Sequence, residues 1–215
     1  MKEIPVHKTK IKMCGITNLA DARYAAGARA DYIGFIFHET SPRYITPAEV
    51  GAIINWIDGP QKVGVFMDHA LDDVIQIVKE TGLDMVQLHG NESPEYCRLI
   101  EVPVIKTIHV TPETTSGELQ NTIKKYENVI GYFLFDTKIN GLSGGTGKTF
   151  DWDMLSEWTK DIPFFLSGGL SPENINEAIY RVKPSAVDMC SSLEEKPGIK
   201  DYDKIDAVME KLKAF

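Results

Sequence analysis

The feature that constrains this chain most is a regular alternation. Short runs rich in β-branched and aromatic residues begin near Ile11, Tyr32, Lys62, Met85, Val102, Tyr132, Pro163 and Ala186, roughly 17 to 31 residues apart. Amphipathic stretches lie between and after them, at 18–29, 47–58, 71–81, 94–101, 117–128, 152–161, 173–183 and 203–214. Eight strand–helix units in 215 residues call for helical crossovers, and therefore a parallel sheet. Such a sheet either closes into a (β/α)8 barrel or stays open and doubly wound. Eight units of near-equal length favour the single-domain (β/α)8 TIM barrel. No linker or low-complexity segment divides the chain, so one domain is expected over 1–215, with 1–9 a short N-terminal extension.

Local signals support the helices. Thr46-Pro47, Ser93-Pro94 and Ser171-Pro172 each place a capping residue before a proline suited to the first helical position. Over 71–81, Leu71, Val74, Ile75 and Val78 share one face, and Gly82 follows as a stop.

Charge and cysteine usage narrow the function. With 31 acidic and 23 basic residues the formal charge is −8, which argues against nucleic acid, since phosphate backbones need a basic patch. Small anions remain open, because local groups can hold them. Three cysteines, at 14, 97 and 190, form no CxxC pair and read as reduced thiols of a cytoplasmic protein. The first residues lack the apolar core of a signal peptide, and apolar stretches such as 50–57 are too short to span a bilayer. No membrane association is expected.

In a barrel, chemistry sits where strands end. Strand 1 ends at Cys14 and Gly15, and alternation puts Lys10, Lys12 and Cys14 on one face. A strand cysteine is either inert filler or, at a strand tip beside a glycine, a functional group. Arg43, after strand 2, is either a surface charge or a fork for a carboxylate. Gln87 and His89 share a face at the end of strand 4, and His89 is either a donor to substrate or a satisfied core group. The other histidines (His7, His38, His69, His109) show no metal-ligand spacing. Asp136 follows the apolar run 132–135, where a carboxylate is costly unless paired or solvated. Partial burial would raise its pKa and suit it to acid work, while a capping role is the alternative.

The glycine-rich run 141–149 is not a P-loop, because Leu142 stands where that pattern needs glycine. A loop over an anionic substrate, with Gly144 and Gly145, fits better. Gly168 and Gly169 end strand 7 and can offer backbone N–H groups to an anion. Ser191 lies in the loop after strand 8. Loops after strands 7 and 8 recur as phosphate sites in such barrels. The residues alone therefore point to a phosphorylated, carboxylated small molecule.

The motifs KMCGIT (12–17), SPRY (41–44), VQLHG (86–90), FDT (135–137), GGTGKTFDW (144–152), SGGL (167–170) and PGIKD (197–201) fall in order along the chain. In this the sequence resembles the phosphoribosylanthranilate isomerases of tryptophan biosynthesis, over nearly its whole length. The resemblance implies a (β/α)8 barrel with no metal or organic cofactor; the chain is expected to be a monomer or a homodimer. The resemblance implies Cys14 as general base and Asp136 as general acid. It also implies Arg43 as the anthranilate carboxylate site, with Gly168, Gly169 and the Ser191 loop holding phosphate.

The implied reaction is an Amadori rearrangement of N-(5-phosphoribosyl)anthranilate to 1-(2-carboxyphenylamino)-1-deoxyribulose 5-phosphate. A thiolate base needs nearby positive potential, and Lys12 is a candidate source. One departure stands out. The family usually carries two serines and a glycine where this chain has Cys190, Ser191 and Ser192, so only Ser191 matches cleanly. A thiol at 190, in a serine position near phosphate, would have its pKa raised by the dianion. Two other readings compete. A histidine-pathway aminoimidazole ribotide isomerase would carry an aspartate at the strand-1 end, where this chain has Cys14. A silent phosphate-binding barrel would have no need of Cys14, Arg43 and Asp136 together.

Overall fold

The structure, a computed structural model, describes residues 9–111, 113–136, 155, 159 and 162–213. Eight barrel strands appear among them: β1 (Lys10–Cys14), β2 (Tyr32–Ile36), β3 (Gln61–Phe66), β4 (Met85–Leu88), β5 (Val104–His109), β6 (Tyr132–Asp136), β7 (Phe164–Ser167) and β8 (Ala186–Met189). Each pairs in parallel with the next, and β8 pairs with β1, so the sheet closes into a barrel. The described helices are α1 (Leu19–Gly27), α2 (Pro47–Ile54), α3 (Leu71–Thr81), α4 (Pro94–Arg98), α5 (Ser116–Tyr126), α6 (Ile175–Val182) and α7 (Tyr202–Leu212).

Alternation along each strand decides what the barrel holds. One face of the sheet (Ile11, Met13, Ile33, Phe35, Val86, Leu88, Phe133, Phe135) joins the helices in one large apolar core. The other face points into the barrel. Its lower layer is apolar: Tyr32, Val63, Met85, Ile105, Leu134, Phe165 and Ala186 pack together as a separate cluster. Two residues further along, the same face turns polar on five strands, with Gln87, Thr107, Asp136, Ser167 and Asp188, while β2 and β3 carry Gly34 and Val65 there. The period of two thus converts an apolar floor into a reactive upper layer without a change of fold.

Element boundaries show where local rules compete. Thr46 caps α2 with a full capping box to Glu49, and Ser93 caps α4. Gly82 ends α3 in the left-handed conformation. Helices expected to reach 58 and 101 stop at Ile54 and Arg98, because the chain tightens to bonds such as Trp56 N–H to Ile53 O and Ile100 N–H to Cys97 O. Strand 5 starts at Val104, after Pro103, rather than at Val102.

Ser171-Pro172 does not open a helix directly. Asn174 folds back, accepting from Ser171 N–H at 2.8 Å and donating to Gly169 O at 2.9 Å, so α6 begins only at Ile175. The helix expected at 152–161 lies outside the described residues except for Leu155 and Thr159. Both are buried and joined by a Thr159 N–H to Leu155 O bond of 3.1 Å. After β8 come a short 3-10 turn and an unexpected two-stranded ribbon, β9 (Glu194–Lys196) with β10 (Ile199–Lys200), turning through Pro197 and Gly198.

Candidate active site

Strand β1 carries Lys12 and Cys14 into the barrel. Lys12 is fully buried and donates to Asp188 on β8 at 2.9 Å. A buried ammonium is tolerable only with such a partner. Burial pushes the Lys12 pKa down, but the charges of Asp188 and Cys14 outweigh it and hold the group above its ordinary value. Cys14 lies above, 5 % exposed. Its thiol is pulled down to about 6, first by a hydrogen bond from the Cys190 thiol and then by Lys12, against burial and the Asp188 charge. Lys12 therefore contributes as the sequence indicated, but the largest influence is Cys190. The Cys190 pKa is raised, as expected for position 190, yet through Cys14 and burial.

Two glycines make this packing feasible. A Cβ on Gly34 would fall 2.8 Å from Cys14 Sγ and 3.1 Å from Lys12 Nζ. A Cβ on Gly15, whose φ is +77°, would meet Arg43 Cδ at 2.8 Å and Cys190 Sγ at 3.0 Å.

Arg43 reaches the same corner. Its Nε donates to Glu194 Oε1 and Oε2 at 2.8 and 3.0 Å, and its Nη2 donates to Oε2 at 2.6 Å. One edge of the guanidinium fork is thus seated on a protein carboxylate, which leaves the Nη1 edge for a second one. Glu194 also accepts from Lys200 Nζ and Gly198 N–H, both at 3.2 Å. Lys200 in turn donates to Cys14 O at 2.6 Å. Burial pushes the Glu194 carboxyl up, but Arg43 and Lys200 more than offset it, so its pKa lies below the ordinary value. Glu194 and Lys200 were missed as site residues. Lys200 falls inside PGIKD, but only the β9–β10 ribbon brings either side chain to Arg43.

The other side of the mouth is built by β4, β5 and β6. Asp136 is 18 % exposed, with His109 Nδ1 3.7 Å from its Oδ2. The His89 ring meets that of His109 edge-on, centroids 4.8 Å apart. The histidines shift in opposite directions: His109 rises through its hydrogen bond to Asp136, and His89 falls through burial and the nearby His109. Sequence spacing gives His109 no metal-ligand pattern; its parity with Thr107 along β5 is the signal that places it at the mouth. Ligand atoms of His89, His109 and Asp136 lie within 4.8 Å of one another. Sequence spacing could not show this trio, since it comes from three strands.

Lys106 steadies the β4 end, donating to Gly90 O at 2.5 Å and Glu92 Oε2 at 2.8 Å. Gln87 is buried, its Nε2 3.3 Å from Thr107 Oγ1, while its Oε1 has no partner among the described residues.

Gly168 and Gly169 follow β7 with φ of +94° and +66°. Ser191 opens the 3-10 turn after β8, the neighbouring strand, and is exposed. Gly144 and Gly145, with their glycine-rich loop, lie outside the described residues. Among the described residues, no helix is long and apolar enough to cross a membrane.

A closed parallel barrel of eight strands, with a thiol and a carboxylate at strand tips three strands apart, places the chain in the (β/α)8 class. Comparison with known proteins makes this specific. Residues 11–211 match the family described as N-(5'phosphoribosyl)anthranilate (PRA) isomerase. The N-(5'-phosphoribosyl)anthranilate isomerase of Trichlorobacter lovleyi is 42 % identical over 91 % of this chain and 94 % of its own. That of Syntrophus aciditrophicus is 39 % identical over 96 % of this chain and 88 % of its own.

Among solved structures, phosphoribosyl anthranilate isomerase from Thermotoga maritima superposes with a TM-score of 0.87 at 36 % identity, covering 96 % of this chain and all of that one. A structure of the isomerase in complex with reduced 1-(o-carboxyphenylamino)-1-deoxyribulose 5-phosphate has a TM-score of 0.84 at 33 % identity, with the same coverage. The chain belongs to the N-(5'-phosphoribosyl)anthranilate isomerase family, and is an isomerase of tryptophan biosynthesis.

Proposed function

We propose that Cys14 and Asp136 carry the rearrangement as base and acid. Asp136 protonates the furanose ring oxygen, and the ring C–O bond breaks to give an open-chain Schiff base. The Cys14 thiolate removes the C2 proton, forming an enolamine. Return of a proton to C1 gives the ketone, so atoms are conserved overall. Arg43 receives the anthranilate carboxylate on its Nη1 edge. The Gly168-Gly169 backbone and Ser191 take the phosphate, with Gly144 and Gly145 covering it. Gln87 and His89 line the sugar.

The observation that carries this reading is the placement of Cys14 between a thiol donor and a buried ammonium, which favours thiolate at neutral pH. A cytoplasmic location accords with three free cysteines. A phosphorylated small molecule is the only partner the reading requires; monomer and homodimer would both serve it, and sedimentation separates them. Turnover of freshly made phosphoribosylanthranilate is the decisive assay, with Cys14→Ala and Asp136→Asn each expected to abolish it. Near wild-type rates in either variant would remove that residue from the mechanism.

A further inference from the structure

We propose that Cys14 and Cys190 form a modification site, at which a peroxide-class oxidant converts the two thiols into an intramolecular disulfide that reversibly disables the isomerase. The register of the barrel brings them together. Strand β1 pairs with β8 through Lys12↔Asp188 and Met13↔Met189, so Cys14 and Cys190 are the next residues in step. Adjacent strands run about 4.8 Å apart, inside the Cα separation that a disulfide spans. Cys190 has already left strand geometry, with φ −131° and ψ −86°, and a hydrogen bond to Cys14 is the largest influence holding its thiol protonated. Each thiol fills space that a glycine leaves open: Cys190 Sγ lies 3.0 Å from where a Cβ on Gly15 would stand, and Cys14 Sγ 2.8 Å from where one on Gly34 would.

The surrounding charge suits each half of the reaction. Lys12 stabilises the Cys14 thiolate from below, while Asp188 holds Lys12 in place. The thiolate attacks a peroxide oxygen, the O–O bond breaks, and hydroxide leaves to become water. The product, a Cys14 sulfenic acid, is uncharged. The negative charge and hydrogen bond that kept Cys190 protonated are then gone, while Lys200 and Arg43 still favour its thiolate. Glu194 Oε1, 3.9 Å from Cys190 Sγ, is placed to take the proton. Attack of Cys190 sulfur on the sulfenic sulfur forms the S–S bond and expels hydroxide, which recovers that proton as water. Two electrons pass from the thiols to peroxide, which ends as two waters. Cys97 has no part in this: it is buried in α4, its thiol pushed up to about 11 chiefly by burial.

Inactivation rests on Cys14 being the base; the disulfide itself does not, so the two are measured separately. The full-length protein is titrated with hydrogen peroxide, then examined by intact mass, peptide mapping and turnover before and after dithiothreitol. Wild type is expected to lose about 2 Da with a Cys14–Cys190 cross-link, and to lose activity by about 10²-fold, the worth of a general base, recovering on reduction. Cys97→Ser should behave identically. Cys190→Ser should give no cross-link; its Cys14 should instead be trapped by dimedone and, with more peroxide, pass to sulfinic acid that dithiothreitol does not rescue. Equal reversibility in wild type and Cys190→Ser, or a cross-link through Cys97, would overturn the proposal. A mapped Cys14–Cys190 bond without loss of turnover would leave the disulfide standing and refute Cys14 as base.

Discussion

The two sides of the barrel mouth solve opposite problems. On the β1–β8 side, Cys14, Lys12, Asp188, Glu194 and Lys200 are all buried, and every charge has an opposite partner within hydrogen-bond reach. On the β4–β6 side, Asp136 is partly open, His109 is half exposed, and their separation is 3.7 Å. The first arrangement favours the Cys14 thiolate through fixed charges that salt and solvent screen poorly. The second lets protons be exchanged with solvent. Under the proposed assignment, the base that must stay charged is walled in, and the acid that must be reloaded is not.

The largest effects should come from removing one member of each side. Cys14→Ala and Asp136→Asn are each expected to cost about 10²- to 10⁴-fold in kcat, the usual worth of acid–base catalysis. Steady-state kinetics with far-UV spectra to verify folding would decide it; a large loss on only one side would break the division of labour.

Lys12→Met comes next. It strands Asp188 in the interior and should cost about 3–5 kcal/mol of stability, as for other broken buried pairs. Denaturant unfolding measures this, and alkylation of Cys14 against pH should show its pKa raised. An unchanged alkylation profile would mean that Cys190 alone sets the thiolate.

Arg43→Ala should raise KM more than it lowers kcat, by about 1.5–3 kcal/mol, the range for hydrogen bonds to charged groups. Substrate lacking the carboxylate should then lose little further. If both losses add, Arg43 serves Glu194 and not the substrate.

A smaller effect concerns pH. Because the Cys14 thiol ionises at about 6, below its ordinary value of 9.0, the active thiolate predominates above that point. kcat/KM should fall about tenfold per pH unit below it. Cys190→Ala, lacking the donor, should move that limb upward. Cys190→Ser keeps a hydroxyl donor and should move it less, with turnover still far above that of Cys14→Ala. The reverse ranking of Cys14 and Cys190 would exchange their roles.

The smallest effect is expected from chelation. Exhaustive removal of divalent ions should leave turnover unchanged. Loss restored by one added ion would make His89, His109 and Asp136 a metal site and redraw the acid side.

Much of this was legible in the residues. Alternation of strand and helix gave eight units, and the parity of β1 put Lys12 and Cys14 on one face, because side-chain direction in a strand depends only on sequence spacing. Capping at Thr46 and Ser93 was readable for the same local reason. Ser171-Pro172 misled because Asn174, three residues on, captured the turn with its side chain. Asp136 stood out as a carboxylate ending an apolar run.

What sequence could not supply were relations between strands. The Cys14–Cys190 contact and the Lys12–Asp188 pair span 176 residues each, and exist only because β8 closes onto β1. Position 190 was read as part of a phosphate loop, so its effect on Cys14 was invisible. Glu194 and Lys200 became site residues only through a two-stranded ribbon whose path local propensity does not specify. Local chemistry is written in the order of residues. The pKa of a buried thiol is set by whatever charges the closed barrel packs around it, and that is decided in three dimensions.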